Sequence, residues 1–159
     1  MTDDEHWKSA MLAKVAEDIH RVGHSVMGIF PDKEEKKPGF FYTVGRHQKN
    51  LPELLMVVNL AGPQGMDILN ALSRAQPFTH GQLVDLGGKY PVLIIDATKP
   101  IVQKEYTRMV NAFYNTHDYQ VQQVLLPDPN GRFPPDGLKP YRDQPILGEM
   151  PWTPQLSNI

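Results

Sequence analysis

Apolar residues recur at three- and four-residue spacing in three stretches of the chain, with charged residues between them. This spacing is typical of amphipathic helices that bury one face. Gly23 is placed to end the first helix, Gly62-Pro63 suits the start of the second, and Pro77 prevents its continuation. The pattern therefore predicts three helices, over residues 7–22, 62–76 and 100–117.

Shorter stretches rich in β-branched, aromatic and other apolar residues lie between these helices and predict strands. The run Leu54–Val58 is apolar at every position, which indicates a central strand covered on both faces. Gly87-Gly88-Lys89 is a hairpin turn signal. The early strands are too close in sequence for helical crossovers, so we expect a largely antiparallel sheet. Six strands are predicted, over residues 24–30, 40–44, 54–58, 82–86, 90–95 and 119–126.

The segment from Pro127 onward holds many of the prolines of the chain, together with Asn130-Gly131 and Asp136-Gly137. Proline lacks the N–H that a helix or a central strand needs. We expect an irregular tail that wraps the surface and is held by four apolar anchors: Phe133, Tyr141, Ile146 and Trp152. The prediction is a single α+β domain, with a core over residues 1–126 and a Pro-rich tail over 127–159.

Composition narrows the class of protein further. The 159 residues fit one domain, and the absence of cysteine excludes disulfides and thiolate chemistry and favours a reducing compartment. A net charge of -2 gives no electrostatic footprint for nucleic acid. The acidic N-terminus precedes no signal-like apolar run, and the longest apolar run is too short to cross a bilayer. We expect a cytoplasmic protein with neither a membrane nor a nucleic acid as partner.

Several short motifs, taken in order, resemble the family named domain of unknown function 4262, whose members are mostly bacterial. They are Gly23, Phe41-Tyr42-Thr43-Val44-Gly45, Pro52-Glu53-Leu54, Leu69-Asn70 and the segment Pro127–Pro134. Two positions depart from the family pattern: Arg46 stands where an apolar residue is usual, and Leu51 where a histidine is frequent. If that histidine has a role in relatives, this protein would have to fill it in another way, for which His47 is a candidate. The resemblance implies a domain assignment and no activity.

The candidate chemistry is concentrated between the second and third strands. Arg46, His47 and Lys49 are suited to bind a phosphate or carboxylate, and glycine lets the backbone approach a ligand closely. A partly buried Glu53 would act as an acid or base, or would position the ligand. The competing interpretation is structural: a buried tyrosine anchor, a glycine turn and solvated cations. The candidate ligand-binding residues here are Tyr42, Thr43, Gly45, Arg46, His47 and Glu53.

Two further groups of polar residues have simpler explanations. Asp128 and Arg132 flank a Pro-Asn-Gly turn, and they would join the site only if the tail folds back over the sheet. His20 and His24 have a spacing compatible with zinc, but Gly23 interrupts their face and no third ligand lies nearby, so no metal site is predicted.

Two functions follow as hypotheses. The preferred one is binding of an anionic small molecule, bearing a phosphate or a carboxylate, near Tyr42–His47. The alternative is a protein-interaction module, an inhibitor or accessory subunit, that uses the aromatic and Pro-rich tail from Phe133 to Trp152 to hold a protein partner. The sequence names no reaction and no cofactor.

Overall fold

A computed structural model describes residues 2–60, 63–75, 77–151 and 155–156. All three predicted helices and all six predicted strands have counterparts, while Gly62 and Trp152 lie outside the described residues. The elements are α1 (Asp3–Val22), β1 (Ser25–Ile29), β2 (Phe40–Val44), β3 (Glu53–Val57), α2 (Gln64–Ser73), β4 (Gln82–Val84), β5 (Val92–Asp96), α3 (Arg108–Tyr114), β6 (Val121–Leu125) and β7 (Gln155–Leu156). Short 3-10 turns span His47–Lys49 and Tyr141–Asp143, and a π-helical turn spans Val102–Tyr106.

One mixed sheet joins all the strands, in the order β1-β2-β3-β6-β5-β4-β7. The prediction of a largely antiparallel sheet is wrong, because β3 runs parallel to β6 and β4 runs parallel to β7. The β3–β6 pair joins strands that are far apart in sequence. The intervening chain, which contains α2, β4, β5 and α3, supplies the long connection that parallel strands require.

The sheet is covered on both faces. On one face, Leu55 and Val57 pack with residues of α1 and α3, and on the other face Leu54 and Met56 pack with residues of α2. All five residues of β3 are buried, as expected for the apolar run Leu54–Val58, and the burial extends to Glu53. Among the described residues, no helix has the length and apolar content needed to cross a bilayer.

Helix α1 is defined at both ends by local sequence. The Thr2 hydroxyl accepts a hydrogen bond from the Glu5 amide, and the Glu5 carboxylate accepts one from the Thr2 amide, each at 3.2 Å. This reciprocal pair is a capping box, which satisfies N–H groups left open in the first turn. Gly23, at φ +101°, ends the helix as predicted and donates its N–H to the Ile19 carbonyl.

The tail is fastened to the sheet by two glutamine side chains. Gln123 of β6 donates to the Pro145 carbonyl at 2.6 Å and accepts from the Leu147 amide at 2.9 Å. In the reverse sense, Gln144 of the tail accepts from the Leu126 amide and donates to the Leu126 carbonyl. We call these four bonds the amide clasps. Each glutamine thus pairs with main chain as another peptide group would.

The clasps hold apolar tail residues against the sheet. Phe133 and Ile146 pack on a buried cluster formed by Leu93, Ile95 and Leu125. Because these positions alternate along their strands, the tail covers the same face as α1 and α3. From 127 to 151 the chain otherwise consists of turns and the 3-10 turn Tyr141–Asp143, whereas β7 is an edge strand that the sequence pattern did not predict.

Tyr42→Phe tests how β2 supports α3. The buried Tyr42 hydroxyl accepts a hydrogen bond of 3.0 Å from the amide of Met109, in the first turn of α3. Its removal leaves a buried N–H without a partner, so we expect about 1–3 kcal/mol less unfolding free energy in urea. Tyr90→Phe, at a tyrosine that is 38% exposed, is the control. Equal stability of the two variants would contradict this role of Tyr42.

Candidate functional site

The polar residues between β2 and β3 converge on a carboxylate of the protein itself. Glu53 is the first residue of β3 and is 0% exposed. Its Oε1 accepts from the Thr43 hydroxyl at 2.8 Å and from the Arg46 amide at 3.1 Å. Its Oε2 accepts from the amides of Gly45 and His47 at 3.0 and 3.1 Å. Three successive backbone N–H groups therefore surround one anion, an arrangement known as a nest.

The nest forms where β2 and β3 cease to pair as regular strands. Their ladder extends from Phe40 opposite Val57 to Tyr42 opposite Leu55. Beyond it, the amide of Leu54 donates to the Thr43 hydroxyl at 2.9 Å, so a side chain takes the place of a main-chain acceptor. Burial raises the pKa of Glu53, against the lowering effect of the hydrogen bonds from His47, Thr43, Gly45 and Arg46.

Gly45 is required by both its conformation and its surroundings. Its φ of +124° is in the left-handed region that favours glycine. A Cβ at this position would lie 3.0 Å from the Cα of His24 and 3.1 Å from the Gly23 carbonyl oxygen. The backbone at Gly45 thus approaches the end of α1 closely, while its predicted approach to a bound anion stays a prediction.

Arg46 points into the protein. It is 1% exposed, and it donates from Nε to the Pro52 carbonyl at 2.8 Å and from Nη1 to the Ser73 carbonyl at 3.0 Å. Ser73 is the last residue of α2, so the guanidinium lies at the negative end of that helix. Its Nη2 has no partner among the described residues. Burial lowers the pKa of Arg46, while the Glu53 carboxylate raises it.

His47, a candidate of the β2–β3 segment, lines a cavity at this end of the described structure. The half-buried imidazole packs against Tyr114 and Tyr119, with ring centroids 4.9 and 6.1 Å away. His47 borders a cavity of about 260 Å³, which we call the His47 cleft. The cleft is lined by His47, Asn50, Leu51, Pro52, Asp118, Tyr119 and Gln120.

The tyrosines that support His47 come from α3 and from the segment that precedes β6. The Tyr119 hydroxyl lies within hydrogen-bond distance of Thr107 and Asn111, and burial raises the pKa of Tyr119 to about 12. Sequence reasoning did not select these residues. Only the β3–β6 pairing brings residues near 120 next to residues near 50, and no local pattern reveals that pairing.

Asp128 and Arg132 lie in a separate turn. Asp128 is 2% exposed, and its carboxylate accepts from the amides of Asn130, Arg132 and Leu138 at 2.8 to 2.9 Å. Burial alone would raise the pKa of Asp128. The three amide hydrogen bonds together lower it by more than burial raises it, so the pKa lies below its ordinary value. The Arg132 side chain is exposed. Asp128 therefore stabilises the turn through hydrogen bonds between its carboxylate and nearby backbone amides.

The two groups of candidates lie at opposite ends of the sheet. Glu53 is in register with Val121, the first residue of β6, whereas Asp128 follows the last residue of that strand, Leu125. The structure thus joins Thr43, Gly45, Arg46 and His47 to Glu53, directs the Tyr42 hydroxyl to Met109 of α3, and places Asp128 and Arg132 elsewhere. His24, considered above as a zinc ligand, pairs through Nε2 with Asn70 Oδ1 at 2.7 Å.

These observations define the class of protein as an α+β domain with one mixed sheet and a buried carboxylate held in a backbone nest. The chain belongs to the family described as domain of unknown function (DUF4262), whose model matches residues 18–137. That match runs from the last part of α1 through the Asp128 turn, and it confirms the resemblance noted from the motifs. No curated protein and no solved structure matches this chain.

Glu53→Gln tests whether the nest holds the loop. The amide NH₂ replaces an oxygen that accepts two hydrogen bonds, so two buried donors would face another donor. We expect about 2–4 kcal/mol less unfolding free energy, measured by urea denaturation. Glu17→Gln, at an exposed position of α1, is the matched control and should change stability by less than about 0.5 kcal/mol. A stable Glu53→Gln protein would contradict the role given to the carboxylate.

Asp128→Asn tests the turn through its pH dependence. A carboxyl whose folded-state pKa is lowered stabilises the fold above its ordinary value of 3.8, and this contribution is lost as the pH falls through the folded-state value. The melting temperature of Asp128→Asn should therefore lie below that of the wild type at pH 6, with a smaller gap near pH 3. Asp136→Asn, at a nearby exposed residue, should show no such convergence.

Proposed function

We propose that this protein binds a small molecule carrying a carboxylate or a phosphate in the His47 cleft. The observation that carries the proposal is the position of His47, which lines the cleft while its amide is fixed by Glu53. Two tyrosine rings lie against the imidazole, and their packing restricts its orientation before a ligand arrives. A cytoplasmic, bacterial setting is part of the same proposal.

The cations of the β2–β3 loop support an anionic ligand, whereas Asp118 in the cleft lining opposes one. Arg46 is a buried cation whose guanidinium makes no ion pair within 4 Å among the described residues, and the buried Glu53 carboxylate offsets part of its charge. Lys49 is a second cation of the same loop, and its Nζ lies beside Gly23 at the end of α1. The backbone amides of the loop already donate to Glu53. The imidazole of His47 is therefore the group that would hydrogen-bond to the ligand. The proposal covers binding and names no reaction.

The alternative, a protein-interaction module that uses the tail, stays a prediction. Phe133 and Ile146 pack against the sheet of this protein, and so does Tyr141. The described aromatic residues of the tail therefore already contribute to its own core, and this arrangement favours the small-molecule proposal.

A thermal-shift experiment tests the proposal. Inorganic phosphate, citrate, succinate and a panel of nucleotides and phosphorylated metabolites are added to the wild type and to His47→Ala. We expect at least one anion to raise the melting temperature of the wild type and to lose that effect in His47→Ala. His117→Ala, at an exposed histidine next to Asp118, is the control and should retain the shift.

Asp118→Asn reports the charge of the ligand independently. Asp118 lines the cleft and is exposed, so its neutralisation should tighten the binding of an anion and weaken the binding of a cation. No stabilising anion across the panel, or a shift that His47→Ala preserves, would refute the proposal.

A further inference from the structure

One edge of the sheet is formed by β1, the first strand in the sheet order. Among the described strands, β1 pairs with β2 alone, and a cavity of about 440 Å³ lies along the strand. Every residue from Ser25 to Pro31 lines this cavity. Because successive side chains of a strand point to opposite faces, one face of the sheet could supply only every second residue. The cavity therefore follows the outer side of the main chain, which we call the β1 edge.

Two residues of the β1 edge direct their main-chain groups away from β2. The Ile29 carbonyl oxygen points toward β2, because it lies 3.0 Å from the position that a Cβ would take at Gly39, the residue before β2. The direction of the N–H and C=O groups alternates along a strand. Ile29 and the residues two and four before it therefore bond to β2, whereas Val26 and Gly28 present their N–H and C=O groups outward. Such groups are a template for another strand.

The surroundings of these main-chain groups are apolar and open to water. Ile29, Phe30 and Met66 line the cavity and are 37%, 92% and 40% exposed. No residue of the β1 edge is charged, and among the described residues that line the cavity only Lys14 carries a charge. Natural proteins commonly protect an unpaired edge with charges, a bulge or a covering segment. The described structure shows none of these along residues 25–29, so this edge is open to pairing.

We propose that two copies of this chain pair through their β1 edges, in antiparallel orientation about a two-fold axis at Met27. In this arrangement Val26 of each copy lies opposite Gly28 of the other. These are the residues with outward groups, so each of the two pairs exchanges two hydrogen bonds, and the two sheets become one. The match follows from symmetry, because the outward residues lie one position before and one position after the axis. A strand without charge also brings no like charges together.

A second copy satisfies this edge better than a small apolar molecule would. The outward N–H and C=O groups need acceptors and donors in place of water, which a hydrocarbon lacks. The exposed side chains of Ile29 and Phe30 need an apolar surface to cover them. Both requirements are met by β1 itself, which is extended, uncharged and apolar. The inference is independent of anion binding at His47, because it depends on different residues.

Sedimentation equilibrium of the full chain tests the inference. We expect a species with twice the 18.0 kDa mass of one chain. Val26→Pro should weaken its association at least about tenfold, because proline removes an outward N–H on each copy and with it two hydrogen bonds of the dimer. Phe30→Glu should weaken it as well, because it places a charge at the pairing edge. Leu138→Glu, at a residue of the tail that is 52% exposed, is the control and should dimerise as the wild type does.

Disulfide formation locates the interface. The chain has no cysteine, so an introduced cysteine can pair only with the same cysteine of another copy. In the proposed dimer the two Met27 residues face each other at a non-hydrogen-bonded position, with Cα atoms about 4.5 Å apart, which a disulfide can span. Met27→Cys should therefore form a covalent dimer faster than Leu138→Cys under mild oxidation, although Met27 is 7% exposed and Leu138 is 52% exposed.

Circular dichroism checks the fold of each variant. If Val26→Pro does not fold, Phe30→Glu decides the matter, since its side chain is 92% exposed in one copy. A single 18.0 kDa species up to millimolar concentration would overturn the inference. So would a dimer of unchanged affinity in the folded variant, or oxidation of Met27→Cys no faster than that of Leu138→Cys. His47→Ala should dimerise as the wild type does, which keeps this test separate from anion binding.

Discussion

The interaction on which the β2–β3 region depends is the set of four hydrogen bonds to the buried Glu53 carboxylate. A carboxylate removed from water is destabilised unless donors replace its hydration. Here three successive amides and one hydroxyl do so. They can meet at one point only if the backbone turns at Gly45 in a conformation that other residues seldom adopt. The same turn directs Arg46 toward α2 and His47 toward the rim of the sheet.

This arrangement changes how a cation-rich loop after a strand should be interpreted. A glycine followed by basic residues suggests that main-chain amides and cationic side chains bind an external anion together. In this protein the amides bind an internal anion, and the guanidinium of Arg46 binds the carbonyls of Pro52 and Ser73. The imidazole of His47 is what remains for a ligand. The chemistry of such a loop is therefore divided between holding its shape and presenting one side chain.

The local pattern predicted the elements better than it predicted their arrangement. An apolar run with no polar interruption identified β3 as a strand covered on both faces, and Gly23 identified the end of α1. The parallel β3–β6 pair was missed because pairing between distant strands depends on the path of the whole chain. For the same reason, burial of Glu53 near Arg46 or His47 was only one of the alternatives that the sequence allowed, and the support of His47 by Tyr119 was not predicted.

The amide clasps have a consequence for where this protein can be divided. Gln123 and Gln144 join β6 to the tail through both a donor and an acceptor on each side chain. The segment that matches the family ends at residue 137, before Gln144 and before Pro145 and Leu147, the main-chain partners of Gln123. A fragment designed on that match alone would leave Gln123 without its main-chain partners and one face of β5 and β6 open to water. Truncation for expression or crystallisation should therefore keep the chain at least through Leu147.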